Sequence, residues 1–294
     1  MRVKDILTTS RPSCSLEFFP PKTETLRAEL ADAIKELLPL KPSYVSVTYG
    51  AGGSTQDRTY DLVVRIRRET GLPVISHLTC VGSGRDEIRA LLERYQANDI
   101  NDVLALRGDP PRGQAADTPI AGDFALATDL VRFIKKEFPQ MGIGVAGFPE
   151  GHPETPNRLK EIDYLKEKVD AGADYIVTQL FFDNRDFYDF CERCELAGIR
   201  VPIVAGILPI TNRAGMIRMA DLAAGARVPA SLLRAVARCT DDAAVERVGI
   251  HWAAEQVRDL IDHRVCGIHL YTLNSAKGVK QIFNALGIAD SNQL

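Results

Sequence analysis

The sequence has few cysteines, no long apolar run and little net charge, and each shortage excludes a class of protein. Six cysteines scattered over 294 residues are too sparse for a disulfide framework and fit a reducing compartment. The longest apolar run, residues 201–210, contains two prolines and is too short to span a bilayer. The net charge of −3 leaves no dominant basic patch. Nucleic acid and acidic membranes are therefore poor candidates as partners.

Two further shortages concern targeting and metal binding. The N-terminal segment lacks the apolar core of a signal peptide, so we expect a cytoplasmic protein. Cys191 and Cys194 have the CxxC spacing, but no second pair completes a zinc site. We therefore interpret them as ordinary cysteines of a helix and predict no metal site.

What the sequence does contain is a regular repeat of short apolar runs. They lie at residues 14–18, 44–47, 74–78, 103–106, 143–146, 175–178, 203–207 and 267–270. Stretches with helical spacing separate them, and the repeat of about 30 residues is the size of one βα unit. Eight such units predict a (β/α)₈ TIM barrel, an α/β fold, formed as a single domain over residues 1–294. The long last interval predicts extra helices at residues 229–238 and 241–263, between strands 7 and 8.

Polar side chains follow the ends of these predicted strands. In a (β/α)₈ barrel the active site lies at the carboxyl ends of the strands, so this ring is the candidate site. Its members are Glu17, Thr48, Tyr49, His77, Arg107, Gly108, Asp109, Phe148, Gln179, Pro209 and Tyr271. The remaining histidines, His251, His263 and His269, fall outside this ring, and we expect packing or surface roles for them.

Two glycine-rich segments need separate interpretations. "GIGVAG", residues 142–147, matches the GxGxxG pattern but lies inside a predicted strand, where a dinucleotide fingerprint does not occur. "YGAGGSTQDRT", residues 49–59, leads from a strand into a helix. It could hold a phosphate at the helix start or only form a tight turn, and the sequence alone leaves both readings open.

Several motifs together resemble one family. "LEFFPPK", "VSVTYGAGGS", "HLTC", "ALRGDPP", "FPEGHPE", "KVDAGADYIVTQLFFD" and "GILPI" occur in the order typical of methylenetetrahydrofolate reductases. The resemblance implies a barrel that binds FAD without a Rossmann fold. It implies reduction of 5,10-methylenetetrahydrofolate to 5-methyltetrahydrofolate with NADH or NADPH, in one-carbon metabolism and methionine biosynthesis. It also implies small-molecule substrates and a homo-oligomer.

The resemblance also implies roles for individual residues. Glu17 matches the general acid, Asp109 a carboxylate between flavin and pterin, and Gln179 and Tyr271 substrate-binding positions. The positions expected to contact the flavin are Thr48, Tyr49, Ala51, His77, Arg107, Gly108, Asp109, Leu126, Ala127, Phe148, His152 and Lys168. Leu126 and Phe148 stand where the family has tyrosines, and Ser275 stands where an arginine is expected, with Lys277 nearby.

The implied chemistry requires a proton donor. Hydride can attack only after the ring that carries the methylene group opens, and the departing nitrogen then needs a proton. Glu17 can supply it if its pKa is raised, and we expect Leu16, Phe18 and Phe19 to raise it by their apolar surroundings. The alternatives are a flavin-independent reductase, a pterin-binding methyltransferase on the same barrel, and a non-catalytic folate-binding subunit.

Overall fold

The structure is a computed structural model that describes residues 2–9, 11–49, 56–108, 122–152, 155, 157–223 and 226–294. Its eight parallel strands follow one another around a closed barrel. They are β1 (Ser13–Phe18), β2 (Tyr44–Val47), β3 (Val74–Thr79), β4 (Asp102–Leu106), β5 (Gly142–Gly147), β6 (Tyr175–Thr178), β7 (Ile203–Ile207) and β8 (Gly267–Tyr271). The predicted (β/α)₈ barrel is confirmed, whereas the single domain over residues 1–294 stays a prediction.

Helices surround the barrel and close one of its ends. They are α1 (Val3–Leu7), α2 (Glu24–Leu37), α3 (Gln56–Thr70), α4 (Arg85–Gln96), α5 (Ala127–Glu137), α6 (Arg158–Asp170), α7 (Asn184–Leu196), α8 (Arg213–Leu222), α9 (Ala230–Ala237), α10 (Asp242–Asp262) and α11 (Ala276–Leu286). Within the described residues, no helix is long and apolar enough to cross a bilayer.

Alternation along the strands separates two cores. Leu16, Val45 and Val103 point away from the barrel axis and belong to the large buried cluster between the strands and the helices. Their neighbours in sequence point inward, because successive side chains of a strand face opposite sides. The segment "GIGVAG" forms β5, with all but Ala146 buried, so its glycines lie in a strand of the barrel rather than in a phosphate-binding turn.

Helix α1, which the sequence analysis did not predict, closes the N-terminal end of the barrel. Its Val3, Ile6 and Leu7 pack against Tyr44 and Tyr175 inside the barrel. The backbone N–H of Val3 also donates to Asp102 Oδ1 at 3.1 Å. The carboxyl ends of the strands lie at the opposite end of the barrel, where the candidate site was expected.

The long connection between β7 and β8 contains the extra helices. The predictions at residues 229–238 and 241–263 correspond to α9 and α10 and are confirmed. Asp241 caps α10 by accepting from the Ala244 N–H at 2.7 Å. The indole N–H of Trp252 donates to the Phe182 carbonyl at 2.9 Å, which attaches α10 to the segment that follows β6.

Candidate active site

Glu17 lies in β1 with its carboxylate directed into the barrel. Its side chain is 15% exposed, and Oε2 lies 3.4 Å from His77 Nε2 of β3 and 3.2 Å from His269 Nε2 of β8. Tyr271 pairs with Glu17 across the β1–β8 register, and its ring packs edge to face on His269 at 5.2 Å between centroids. Strands that are distant in sequence thus bring an acid and two imidazoles together.

The prediction that His269 has only a packing or surface role is wrong. The side chain is 2% exposed, and its two ring nitrogens contact Glu17 Oε2 and Ser15 Oγ at 3.2 and 2.8 Å. The signal was present in the sequence. His269 precedes Tyr271 by two residues, so both side chains face the same side of a strand, and closure of the barrel places β8 beside β1.

The prediction of a raised pKa at Glu17 is also wrong. Burial does raise the pKa, but the hydrogen bond from His269, together with the Coulombic effect of His77 and His269, brings it below its ordinary value. The apolar residues that were expected to surround the carboxylate lie in other parts of the structure. Leu16 and Phe18 point into the outer core, and Phe19 is 42% exposed. Adjacent residues of a strand do not share a face, so they do not surround the carboxylate.

The loop after β8 holds the end of β1. Thr272 Oγ1 donates to the Glu17 carbonyl at 2.6 Å. The Asn274 side chain accepts from the Phe19 N–H at 2.9 Å and donates to the Phe19 carbonyl at 2.8 Å. Asn274 itself has a φ of 60°, a conformation that asparagine tolerates better than most residues. The backbone on both sides of the acid is therefore fixed by β8.

His77 and the residues after β4 form the next part of the ring. His77 is 8% exposed, and burial lowers its pKa. Its Nε2 lies 3.4 Å from Glu17 Oε2 but makes no hydrogen bond to the described residues. Gly108 has a φ of 85°, and an added Cβ would lie 2.8 Å from Val81 Cγ1. The Arg107 side chain donates to the Gly108 carbonyl at 3.3 Å. Both the backbone conformation of Gly108 and the nearby Val81 side chain therefore exclude a larger residue at this position.

The remaining predicted positions line the ends of β2, β5 and β6. The Thr48 N–H donates to the Phe18 carbonyl at 2.9 Å, and burial raises the pKa of Tyr49. Phe148 meets His152 edge to face with ring centroids 4.7 Å apart. Gln179 Oε1 accepts from the Leu180 N–H at 2.9 Å, which sets the orientation of the amide.

Lys168 reaches the barrel from α6. Its ammonium donates to the Ala146 carbonyl at 3.0 Å, and burial lowers its pKa to about 8. Leu126 precedes α5, is 48% exposed, and gives its backbone N–H to Asp129 Oδ2 at 3.1 Å. Ala127 is the first residue of that helix.

Some expectations are untested or changed by the structure. Ala51 and Asp109 lie outside the described residues. Ser275 caps α11 by accepting from the Lys277 N–H at 3.4 Å. The Lys277 ammonium binds Glu246 Oε2 of α10 at 2.6 Å, and a role for this lysine in place of the family arginine stays a prediction.

Comparison with known proteins extends the resemblance to the whole barrel. Residues 2–287 match the family model described as methylenetetrahydrofolate reductase. The chain is 40% identical over 304 residues to methylenetetrahydrofolate reductase (NADH) 1 of Arabidopsis thaliana, covering all of this chain and 51% of that protein. It is 39% identical over 275 residues to 5,10-methylenetetrahydrofolate reductase of Escherichia coli (strain K12), covering 93% of this chain and 90% of that protein. The chain spans about half the length of the plant relatives it matches.

Solved structures agree with the barrel. An uncharacterized protein from Clostridium thermocellum that binds two copies of 5-methyl-5,6,7,8-tetrahydrofolic acid has a TM-score of 0.69 and 15% identity, with both chains fully covered. Dihydropteroate synthase from Xanthomonas albilineans has a TM-score of 0.52 and 14% identity. At these identities the likeness supports the fold alone.

Proposed function

The chain belongs to the methylenetetrahydrofolate reductase family, and from that membership we propose that it reduces 5,10-methylenetetrahydrofolate to 5-methyltetrahydrofolate with electrons from NADH or NADPH. The observation that carries the proposal is the position of Glu17. An acid that is 15% exposed stands at the carboxyl end of the strands, 3.2 Å from His269 and 3.4 Å from His77.

The residues of the ring fit FAD as the cofactor. The buried His77 Nε2, which makes no hydrogen bond to the described residues and lies 3.4 Å from Glu17 Oε2, is a polar atom that a group bound beside Glu17 would contact. Gly108, with a φ of 85°, holds the turn after β4 in a conformation that favours glycine. Arg107 and His152 would add polar contacts, and Lys168 a cation. When bound, the flavin supplies hydride transfer between the nicotinamide and the folate.

Glu17 is the proposed general acid. Opening of the five-membered ring breaks a carbon–nitrogen bond, and the electron pair of that bond stays on the departing nitrogen. A proton from the Glu17 carboxyl would neutralise this nitrogen as the bond breaks. A positioned acid of this kind contributes typically ~10²–10⁴ in rate.

The other proposed roles concern binding. Gln179, oriented by the Leu180 N–H, would bind the pterin through its amide, and Tyr271 would line the same pocket beside Glu17. Asp109 would stabilise the cation that ring opening creates and bind the pterin. Cytoplasmic location and a homo-oligomer stay predictions.

A second candidate is a reductase that transfers hydride from the nicotinamide to the folate without flavin. The observation that favours it is the loss of two hydroxyls, since Leu126 is 48% exposed and Phe148 packs on His152. A typical hydrogen bond is worth ~0.5–1.5 kcal/mol, so two lost bonds would weaken flavin binding. A protein that stays colourless after addition of FAD, yet oxidises NADH with folate, would support this candidate.

The experiment that tests the main proposal follows the visible spectrum under anaerobic conditions. In the purified protein loaded with FAD, NADH should bleach the flavin band and methylenetetrahydrofolate should restore it. Glu17→Gln should slow the second step by about 10²–10⁴ and leave the first unchanged.

Glu246→Gln is a matched control, because Glu246 is also 15% exposed but pairs with Lys277 on α11. It should leave both steps unchanged. If Glu17→Gln slowed both steps equally, Glu17 would be a structural residue rather than the acid.

A further inference from the structure

The interior of the barrel is polar along β1. Barrel interiors are usually filled by branched apolar side chains, yet the inward residues of β1 are Ser13, Ser15 and Glu17. Ser15 is fully buried and His269 is 2% exposed. The three groups Ser15, His269 and Glu17 form a chain of hydrogen bonds that leads from beneath the candidate acid up to its carboxylate.

The hydrogens of this chain can be counted. Ser15 Oγ lies 3.3 Å from the Ile268 carbonyl and 2.8 Å from His269 Nδ1. A hydroxyl has one hydrogen and a carbonyl has none. If Ser15 donates to Nδ1, the ring hydrogen lies on Nε2, and Glu17 accepts it without a further proton. If Ser15 instead donates to Ile268, Nδ1 must carry the hydrogen of the shorter bond. His269 Nε2 and Glu17 Oε2, 3.2 Å apart, are then bonded only if one more proton lies between them.

That proton can lie on either of two atoms, Nε2 of His269 or Oε2 of Glu17. On Nε2 it makes an imidazolium ion that faces a carboxylate, and on Oε2 it makes a carboxylic acid that donates to a neutral imidazole. Both placements give the pair the same total number of protons.

We propose that Glu17 and His269 jointly hold one transferable proton, that Ser15 keeps it there by setting the tautomer of His269, and that this is the proton delivered to the departing nitrogen. His269 and Ser15 are positioning residues, since they act through Glu17. The inference rests on the proposed function. In each turnover the proton leaves Oε2 for the nitrogen whose bond to carbon breaks, and solvent returns one proton to the pair.

The other groups that face Glu17 do not compete for this role. His77 from β3 has a pKa lowered by burial, which disfavours its charged form. The Tyr271 hydroxyl donates its hydrogen to the Thr178 carbonyl at 2.9 Å. Ser46 of β2, opposite Glu17 in register, carries an alcohol proton that is not acidic in this range. A shared proton also fits the lowered pKa of Glu17, because the carboxyl need not hold the proton alone.

The test uses Ser15→Ala, with Ser13→Ala as the matched control. Ser13 is the neighbouring inward serine, and its hydroxyl has no hydrogen-bond partner among the described residues. Without the Ser15 hydroxyl, His269 can carry its hydrogen on Nε2 as a neutral imidazole, and the pair loses its stored proton. In Ser15→Ala the pH profile of folate reduction by the reduced enzyme should move to lower pH. Above the apparent pKa the rate should fall about tenfold for each unit of that movement.

Two outcomes would overturn the inference. The first is a Ser15→Ala profile that coincides with that of the wild type. The second is an equal loss of NADH oxidation and folate reduction, which would indicate a structural role. Ser13→Ala should retain the wild-type profile.

A second readout does not need activity. Nitrogen NMR of histidine-labelled protein reports which ring nitrogen of His269 carries hydrogen, with the signal assigned by His269→Gln. The expected result is hydrogen on Nδ1 in the wild type and a changed tautomer in Ser15→Ala. Hydrogen absent from Nδ1 in the wild type would overturn the inference. A protein that never reduces the folate would refute the proposed function, and the NMR result would still decide the state of the pair.

Discussion

Replacing Asp102 by asparagine is expected to stabilise the protein above about pH 6. Asp102 lies at the end of the barrel closed by α1, is 2% exposed, and accepts from the Val3 N–H at 3.1 Å. Burial, and then the negative charge of Asp174, raise its pKa to about 6 against an offsetting effect of the Val3 N–H. Asparagine keeps the acceptor for Val3 and removes the buried charge.

The size and sign of the change in the free energy of unfolding follow from proton linkage. An unfolded aspartate has a pKa of about 3.9, so between roughly pH 4 and pH 6 the folded protein binds more protons than the unfolded chain, and its free energy of unfolding falls as pH rises. A difference of about two units corresponds to about 3 kcal/mol, fully developed above pH 6. Below about pH 4 the acid is protonated in both states, and the substitution should have little effect.

Urea unfolding at pH 4 and pH 8 measures this difference through the transition midpoint. Asp99→Asn is the control, because Asp99 is exposed and its pKa is lowered by the hydrogen bond from Arg67. Asparagine also tolerates its φ of 60°. Asp99→Asn should be neutral or slightly destabilising at pH 8. A loss of stability in Asp102→Asn at pH 8, or an equal gain at both pH values, would contradict the linkage argument.

Two further predictions concern packing and the position of β1. Gly249→Ala should lower the free energy of unfolding by about 1–3 kcal/mol, because the added Cβ would lie 1.9 Å from the Ile210 carbonyl oxygen. Gly278→Ala, whose Cβ would meet Pro209 Cγ at 3.3 Å, should cost less, and equal urea midpoints would contradict the clash. Asn274→Asp should destabilise by about 1 kcal/mol and slow folate reduction, because an oxygen replaces the donor to the Phe19 carbonyl. Asn212→Asp is the control, because it keeps the cap on the Gly215 N–H, and it should leave turnover unchanged. An Asn274→Asp protein with normal turnover would show that the hydrogen bonds between Asn274 and Phe19 do not position Glu17.

The order of strands and helices could be predicted because it depends on local pattern. Apolar runs at residues 44–47, 175–178 and 203–207 coincide with β2, β6 and β7, and turn residues mark where they end. Helix α1 was missed because it is five residues long. Its formation depends on burial against Tyr44 and Tyr175 rather than on a helical repeat.

The positions of several site residues could be predicted, but the contacts between them could not. Glu17, His77 and Tyr271 stand at or near strand ends, and the barrel rule places such residues at one mouth. The role of His269 and the direction of the pKa shift at Glu17 required knowing which strands are neighbours. Glu17 contacts His77 and His269, which are far from it in the sequence. These contacts form only when the barrel closes, so their effect on the Glu17 pKa could not be predicted from the sequence.

By itself, the sequence determined the eight βα units, the extra helices before β8, and the acid at the end of β1. These depend on side-chain periodicity and turn residues, which are properties of short segments. The tertiary structure alone decided the electrostatics of that acid. Closure placed β8 against β1, and the hydrogen bond with His269 together with the Coulombic effects of His77 and His269 then outweighed the effect of burial on the Glu17 pKa. Charge interactions depend on distance in space, and distance in space is what a linear pattern does not contain.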